Sequence, residues 1–262
     1  MQRIPHSAPA YRAARPLTLM VPHISTVRWS SIFERLPPAS SASSSSNSSS
    51  VERRREVTPP WVLAPGVLPT RTHRVSFTGS LNGSPQLRKL LVSQCRALRD
   101  DARCIAYVQE QWNSESSYEE AVTPITTALK LKLRSTFCLE PTGYSPPRKS
   151  ILDSLLSGCI PVLFFRRAEA TAYLPLFGFG GAGGWGANAS VLLPAEEVLS
   201  GRINVLPTLE AIPAARVRRM QRTIAAHAPA LVWGLGSSGL GAGRADVVET
   251  LQRFLATSAK PR

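Results

Sequence analysis

A chain of 262 residues with 43% hydrophobic side chains is long enough for one large domain or two small ones, and too apolar to be disordered throughout. Its formal charge of +14 invites nucleic acid, anionic lipid or acidic polysaccharide as partners. The arginines are scattered, however, apart from runs at residues 53–55 and 216–222 that lack interleaved aromatics, a distribution that favours a solvated basic surface and no nucleic-acid partner.

In chain order, the opening MQRIPHSAPAYRAARPLTLM is basic and free of acids, like a transit peptide, but lacks the apolar core of a secretory signal. Residues 16–31 contain one strand-like run with nothing before it to pair with. Residues 1–35 therefore read as a weak targeting segment or the remnant of a preceding lobe. Residues 36–60 are serine-rich and then charged, with too little apolar surface to offset the entropy of ordering, and read as a disordered linker. No run of about 18 apolar residues occurs, so no transmembrane segment is expected.

Residues 61–262 alternate between strand and helix signals. HRVSFTG reads as a strand ending at Gly79. The helix SPQLRKLLVSQCRAL follows, with Ser84 as N-cap, Pro85 in the first turn, and Leu87, Leu90, Leu91 and Cys95 on one face. CIAYV is a strand, and SSYEEAVTPITTALKLKLR is helical in pieces, interrupted before Pro124. STFCLEP is a buried strand, PPRKSILDSLLSG a helix stopped at Gly158, and CIPVLFF another buried strand. The glycine-rich stretch 177–190 reads as a long loop before the strand VLLP. Two short helices meet around Pro213, and a last helix carries Val247, Val248, Leu251, Phe254 and Leu255 as its apolar stripe. The alternation predicts an α/β domain with a Rossmann-like parallel sheet.

Four cysteines form neither a CxxC pair nor a Cys/His set, which argues against a metal site. Cys138 and Cys159 read as small buried hydrophobes inside strands. Cys95 and Cys104 bracket a helix end and the next strand, where an oxidising compartment would permit a local disulfide. Asn47, Asn82 and Asn188 each head an Asn-x-Ser/Thr sequon.

Chemistry concentrates at EPTGYSPPRKS, where the buried strand at 135–139 gives way to its helix. In an open parallel sheet, ligands bind at the carboxyl ends of strands, facing the amides of the next helix's first turn. Gly143 shapes the turn, Ser145 and Ser150 offer hydroxyls, Arg148 and Lys149 can neutralise a diphosphate, and Glu140 can accept from ribose or sugar hydroxyls. Cations at a helix N-terminus oppose its dipole and so ask for an anion. An ordinary capped helix with a solvated first turn is the alternative.

The segment STFCLEPTGYSPPRKSILDSLLSGCIPVLFF resembles the signature of the exostosin-like glycosyltransferases (GT47 type). It matches at Phe137, Cys138, Leu139, Glu140, Pro141, Gly143, Ser145, Arg148, Lys149, Ser150, Asp153, Gly158, Cys159, Ile160, Pro161 and Val162. RTHRVSFTGS, QCR at 94–96 and VLLPAEEV are similar to further family segments in the same order. Tyr144, Lys149 and Leu152 depart from the pattern, Lys149 keeping charge but losing the bidentate fork. The resemblance spans residues 62–256, and 16–31 faintly.

It implies the C-terminal lobe of a GT-B architecture with the N-terminal lobe largely missing, holding a nucleotide-sugar donor such as a UDP-sugar. It also implies inverting transfer to a polysaccharide or glycoprotein glycan acceptor in the Golgi, without a required metal or other cofactor. Carried over by position, Glu140 would contact ribose or donor sugar. Ser145, Arg148, Lys149 and Ser150 would hold the diphosphate, with Gly143 and Asp153 behind them. No catalytic base is assigned, because His73 and His227 both read as structural. The competing expectation is a non-catalytic nucleotide-sugar or polyanion-binding module.

Overall fold

The structure, a computed structural model, describes residues 71–109, 118–143, 148–165, 177–180, 183–231 and 247–258. The expected segments 1–35 and 36–60 lie outside the described residues, as does Ser145.

Short runs of β-branched, aromatic and small residues set the strands. They are β1 His73–Gly79, β2 Cys104–Val108, β3 Ser135–Glu140, β4 Ile160–Leu163 and β5 Val191–Leu192. All pairings are parallel, in the spatial order β2-β1-β3-β4-β5. Val75, Phe77, Phe137, Ile160 and Val162 are fully buried, as strands covered on both faces require. Pro161, which cannot donate to a ladder, sits opposite Cys138 of β3; β5 joins β4 only from Val162 onward.

The connections are largely helical. They are α1 Pro85–Ala97, α2 Tyr118–Leu133, α3 Lys149–Leu156, α4 Ala195–Leu199, α5 Val205–Glu210, α6 Ala214–His227 and α7 Val247–Ser258. Several sequence-based expectations need correction. Ser84 occupies the N-cap position of α1 but makes no capping hydrogen bond; its hydroxyl pairs with that of Thr142 at 2.8 Å. The segment expected to break before Pro124 is one helix running through it. Proline forfeits one ladder hydrogen bond there, and burial of Leu129 and Lys132 further along holds the helix to the sheet. In α7, Val247 is buried and Leu251 packs on the core, but Val248 is 39% exposed; the side chains of Phe254 and Leu255 lie outside the described set.

The glycine-rich stretch is partly built as a compact turn, with a 3-10 segment at Trp185–Asn188. Trp185 packs edge-on to Phe179 and stacks on His227, and its indole donates to the Phe177 carbonyl at 2.9 Å. Gly186 lies so close to Phe179 that a Cβ would sit 2.5 Å from its carbonyl oxygen.

Cys138 and Cys159, expected as unpaired hydrophobes, are joined in a disulfide between β3 and the residue preceding β4. Parallel neighbours bring their Cα atoms to 5.9 Å, within bridging range. Cys95 and Cys104 form a second disulfide, tying α1 to β2.

Beneath the amino ends of the strands, Arg71 donates to the carbonyls of Lys132, Leu133, Ser135 and Ser157 at 2.6–3.2 Å. One guanidinium thus caps the carboxyl ends of both α2 and α3, where carbonyls lack helical partners and the dipole is negative. The turn after α3 leaves no spare room: Gly158 has φ +64°, and a Cβ there would meet Arg71 Nη2 at 2.8 Å. Gly158→Ala is expected to cost about 2 kcal/mol or more, from left-handed backbone strain plus displacement of Arg71. Urea unfolding checks this, and an unchanged midpoint would contradict the packing described.

Candidate functional site

The chain runs outward from β1 to β2, then returns to place β3 on the other side of β1, so the sheet order reverses between β1 and β3. Loops leaving those two strands diverge and leave a crevice at their carboxyl ends. A cleft of about 410 Å³ occupies that place. One wall is Thr78 and Gly79 at the end of β1 with Ser80 and Asn82 after it, another is Ile125, Ala128, Leu129 and Lys132 of α2, and the third is Gly143, Arg148, Lys149, Ser150 and Asp153.

Arg88 of α1 holds the crevice in shape. Only 2% exposed, it donates to the Ser80 carbonyl at 2.6 Å on the β1 side. On the β3 side it donates to the Pro141 and Thr142 carbonyls at 3.1–3.3 Å. The two loops are therefore joined through one guanidinium fork.

Arg148 stands at the N-cap of α3, extended, with no side-chain cap, and no acid follows in the first turn. Its Nη1 donates to the Pro141 carbonyl. The side chain lies over Gly143, where a Cβ would approach its Nε to 3.2 Å. Lys149 pairs one turn further on with Asp153, Nζ to Oδ2 at 2.9 Å, with the lysine side chain 40% exposed and the aspartate 8%. Helix α3 is buried from Ile151 through Leu156, so its amino-terminal turn is held on a rigid element.

The expected site residues thus divide. Gly143, Arg148, Lys149, Ser150 and Asp153 line one cleft. Glu140 does not. It is 1% exposed beneath the cleft, accepting from Lys132 Nζ and from Ser154 Oγ, the latter at 2.6 Å. Burial alone would push its carboxyl up. The Lys132 and Arg148 charges and the two hydrogen bonds outweigh burial and hold it below the ordinary carboxylate range.

Residues 61–207, more than half of the chain, match the Exostosin GT47 domain. The chain belongs to the exostosin GT47 family. Among curated relatives from Arabidopsis thaliana, it is similar to xyloglucan-specific galacturonosyltransferase 1, at 32% identity over 63% of this chain and 23% of that protein. It is also similar to the probable xyloglucan galactosyltransferase GT19, at 27% identity over 65% of this chain and 38% of the relative. With xyloglucan galactosyltransferase XLT2 the figures are 31% identity, 58% and 27%. The chain thus spans well under half the length of these exostosin GT47 relatives.

Sequence reasoning missed Lys132 and Arg88. Both sit on helices at positions where charge ordinarily faces solvent. The available signals were weak: Lys132 falls in the alternating LKLKL, whose helical register points one lysine inward, and Arg88 follows the buried Leu87.

Replacing Glu140 with Gln would leave the Lys132 ammonium buried without its counter-charge, an expected loss of about 3 kcal/mol at neutral pH. Because the folded carboxyl sits below its unfolded value, this contribution is complete above about pH 4.3. It fades as pH falls through the folded value. Urea titrations of wild type and Glu140→Gln from pH 7 to 3 should show the stability gap closing on the acid side; a gap independent of pH would contradict the ion pair.

Proposed function

We propose that this chain is the donor-binding half of an exostosin-type glycosyltransferase, the Rossmann-like lobe of a GT-B architecture. On this reading the cleft at the β1/β3 reversal receives a nucleotide-sugar, a UDP-sugar being the first candidate. The observation that carries it is Arg148 and Lys149 lining a cleft at the amino end of a buried helix that supplies no acid in its first turn. Backbone amides and two cations then face the position where a diphosphate leaving group gains charge as the glycosidic bond breaks. Donor contacts fall to Arg148, Lys149 and Ser150, and on the family resemblance to Ser145 as well. Gly143 leaves room for the arginine, and Asp153 holds Lys149. Glu140 takes a supporting role below the cleft, in place of direct contact with ribose or sugar.

The reaction on this reading is inverting transfer of a sugar to a polysaccharide or glycan acceptor. The similarity to xyloglucan galactosyltransferases and a galacturonosyltransferase makes a plant-type hemicellulose the acceptor class to try first. A Golgi lumen suits the two disulfides, which persist in oxidising compartments. In a GT-B enzyme the acceptor is presented by the other lobe, so donor binding and transfer are separate measurements.

Calorimetric titration of the purified chain with UDP and UDP-sugars tests the donor site. Arg148→Ala is expected to weaken UDP binding about tenfold or more, since a hydrogen bond to a charged group is worth roughly 1.5–3 kcal/mol. No heat from a folded wild-type sample, or equal affinity in the variant, would remove the proposed site.

A further inference from the structure

The buried ammonium of Lys132 has more acceptors around it than protons to give, and the way the conflict resolves bears on the cleft above it. Around Nζ lie Glu140 Oε1, Ser154 Oγ at 2.7 Å, Ser150 Oγ at 3.1 Å and the Ser150 carbonyl at 3.2 Å. Lysine has three donors and accepts nothing. The first proton goes to Glu140. Ser154 gives its own hydroxyl proton to Glu140 Oε1, so its oxygen is free to accept the second. The third is shared between the carbonyl and the hydroxyl oxygen of Ser150.

This arrangement fixes the polarity of Ser150. Its hydroxyl oxygen takes charge-assisted donation from below, so its own proton must find an acceptor elsewhere, and Ser150 lines the cleft. A hydroxyl whose oxygen accepts from a cation also becomes a stronger donor. We infer that Lys132, held by Glu140, is a positioning residue that presents the Ser150 hydroxyl to the cleft as a hydrogen-bond donor for a bound anion. Although Lys132 belongs to the cleft wall, its side chain is only 3% exposed and its ammonium protons are committed to Glu140, Ser154 and Ser150, so its role is to position and not to contact the ligand.

The inference rests on the donor-site reading, and the experiment separates the two. UDP and inorganic pyrophosphate are titrated calorimetrically into the wild-type chain, Ser150→Ala, the charge-free double substitution Lys132→Met with Glu140→Leu, and the triple combination. Melting temperatures are recorded for each. Swapping a buried ion pair for apolar residues of similar size is often neutral for folding. Should that double substitution fail to fold, Lys132→Met with Glu140→Gln serves instead, since it keeps an acceptor for Ser154.

Ser150→Ala and the charge-free pair are each expected to weaken UDP binding about tenfold, with no further loss when combined, because one deletes the hydroxyl and the other the cation that orients it, and both act on the same hydrogen bond. Losses that multiply in the combination, or a folded charge-free pair that binds UDP like wild type, would overturn the inference. So would wild-type affinity in Ser150→Ala, which would mean that the hydroxyl proton is spent within the protein. Absence of UDP and pyrophosphate heat in the wild type would overturn the donor site and the positioning role together. UDP heat that is lost in Arg148→Ala but insensitive to Lys132 and Ser150 would overturn the positioning role alone.

Discussion

A carboxylate and an ammonium, each almost wholly removed from water, sit at the carboxyl end of the central strand β3 and couple it to two helices at once. Glu140 closes the strand, Lys132 comes from the last turn of α2, and the serines they bind belong to α3. Taking two charges out of water is costly, and the pair is supported by the hydrogen bond from Ser154 to Glu140 and by those of Lys132 to Ser150 and Ser154. Any sideways slip of α2 against α3 would break several of those bonds together. The register of the two helices is therefore specified by polar contacts as well as by the apolar packing of Leu129, Ile151 and Leu155.

Two arginines extend the same logic to opposite ends of the sheet. Arg71 gathers carbonyls from the ends of α2 and α3 below the strands. Arg88 joins the loops after β1 and β3 above them. Both use a planar fork to gather several backbone carbonyls at once and so fix chain path. The strongly basic composition is partly explained here, and partly by Arg74, which donates to the carboxyl end of α5 and lies over the ring of Phe137. Several cations of this chain are thus structural fasteners for backbone carbonyls.

The cleft inherits its properties from these constraints. A doubly wound sheet creates a crevice wherever its order reverses, whatever the sequence. One wall of this crevice is the start of a buried helix carrying Arg148 and Lys149, and the buried Lys132–Glu140 pair lies behind it. Preorganisation of this kind favours binding by reducing what must be ordered when a ligand arrives. The two disulfides act in the same sense, one locking β3 to the entry of β4, the other locking α1 to β2.

How much of this could be read in the chain follows from the range of each interaction. Alternating apolar runs and periodic helices are local, so the order of strands and helices, the turn at Gly158 and the hinge with Arg148, Lys149 and Ser150 were legible, and the order of residues along that hinge pointed to the family. Pro124 misled because the local penalty of a proline was outweighed by distant packing of its helix. The pairing of Cys138 with Cys159, the clamp made by Arg88 and the meeting of Lys132 with Glu140 depend on which strands become neighbours and which face of a helix turns inward. Those choices are made by burial summed over the whole domain, and only the tertiary structure decides them.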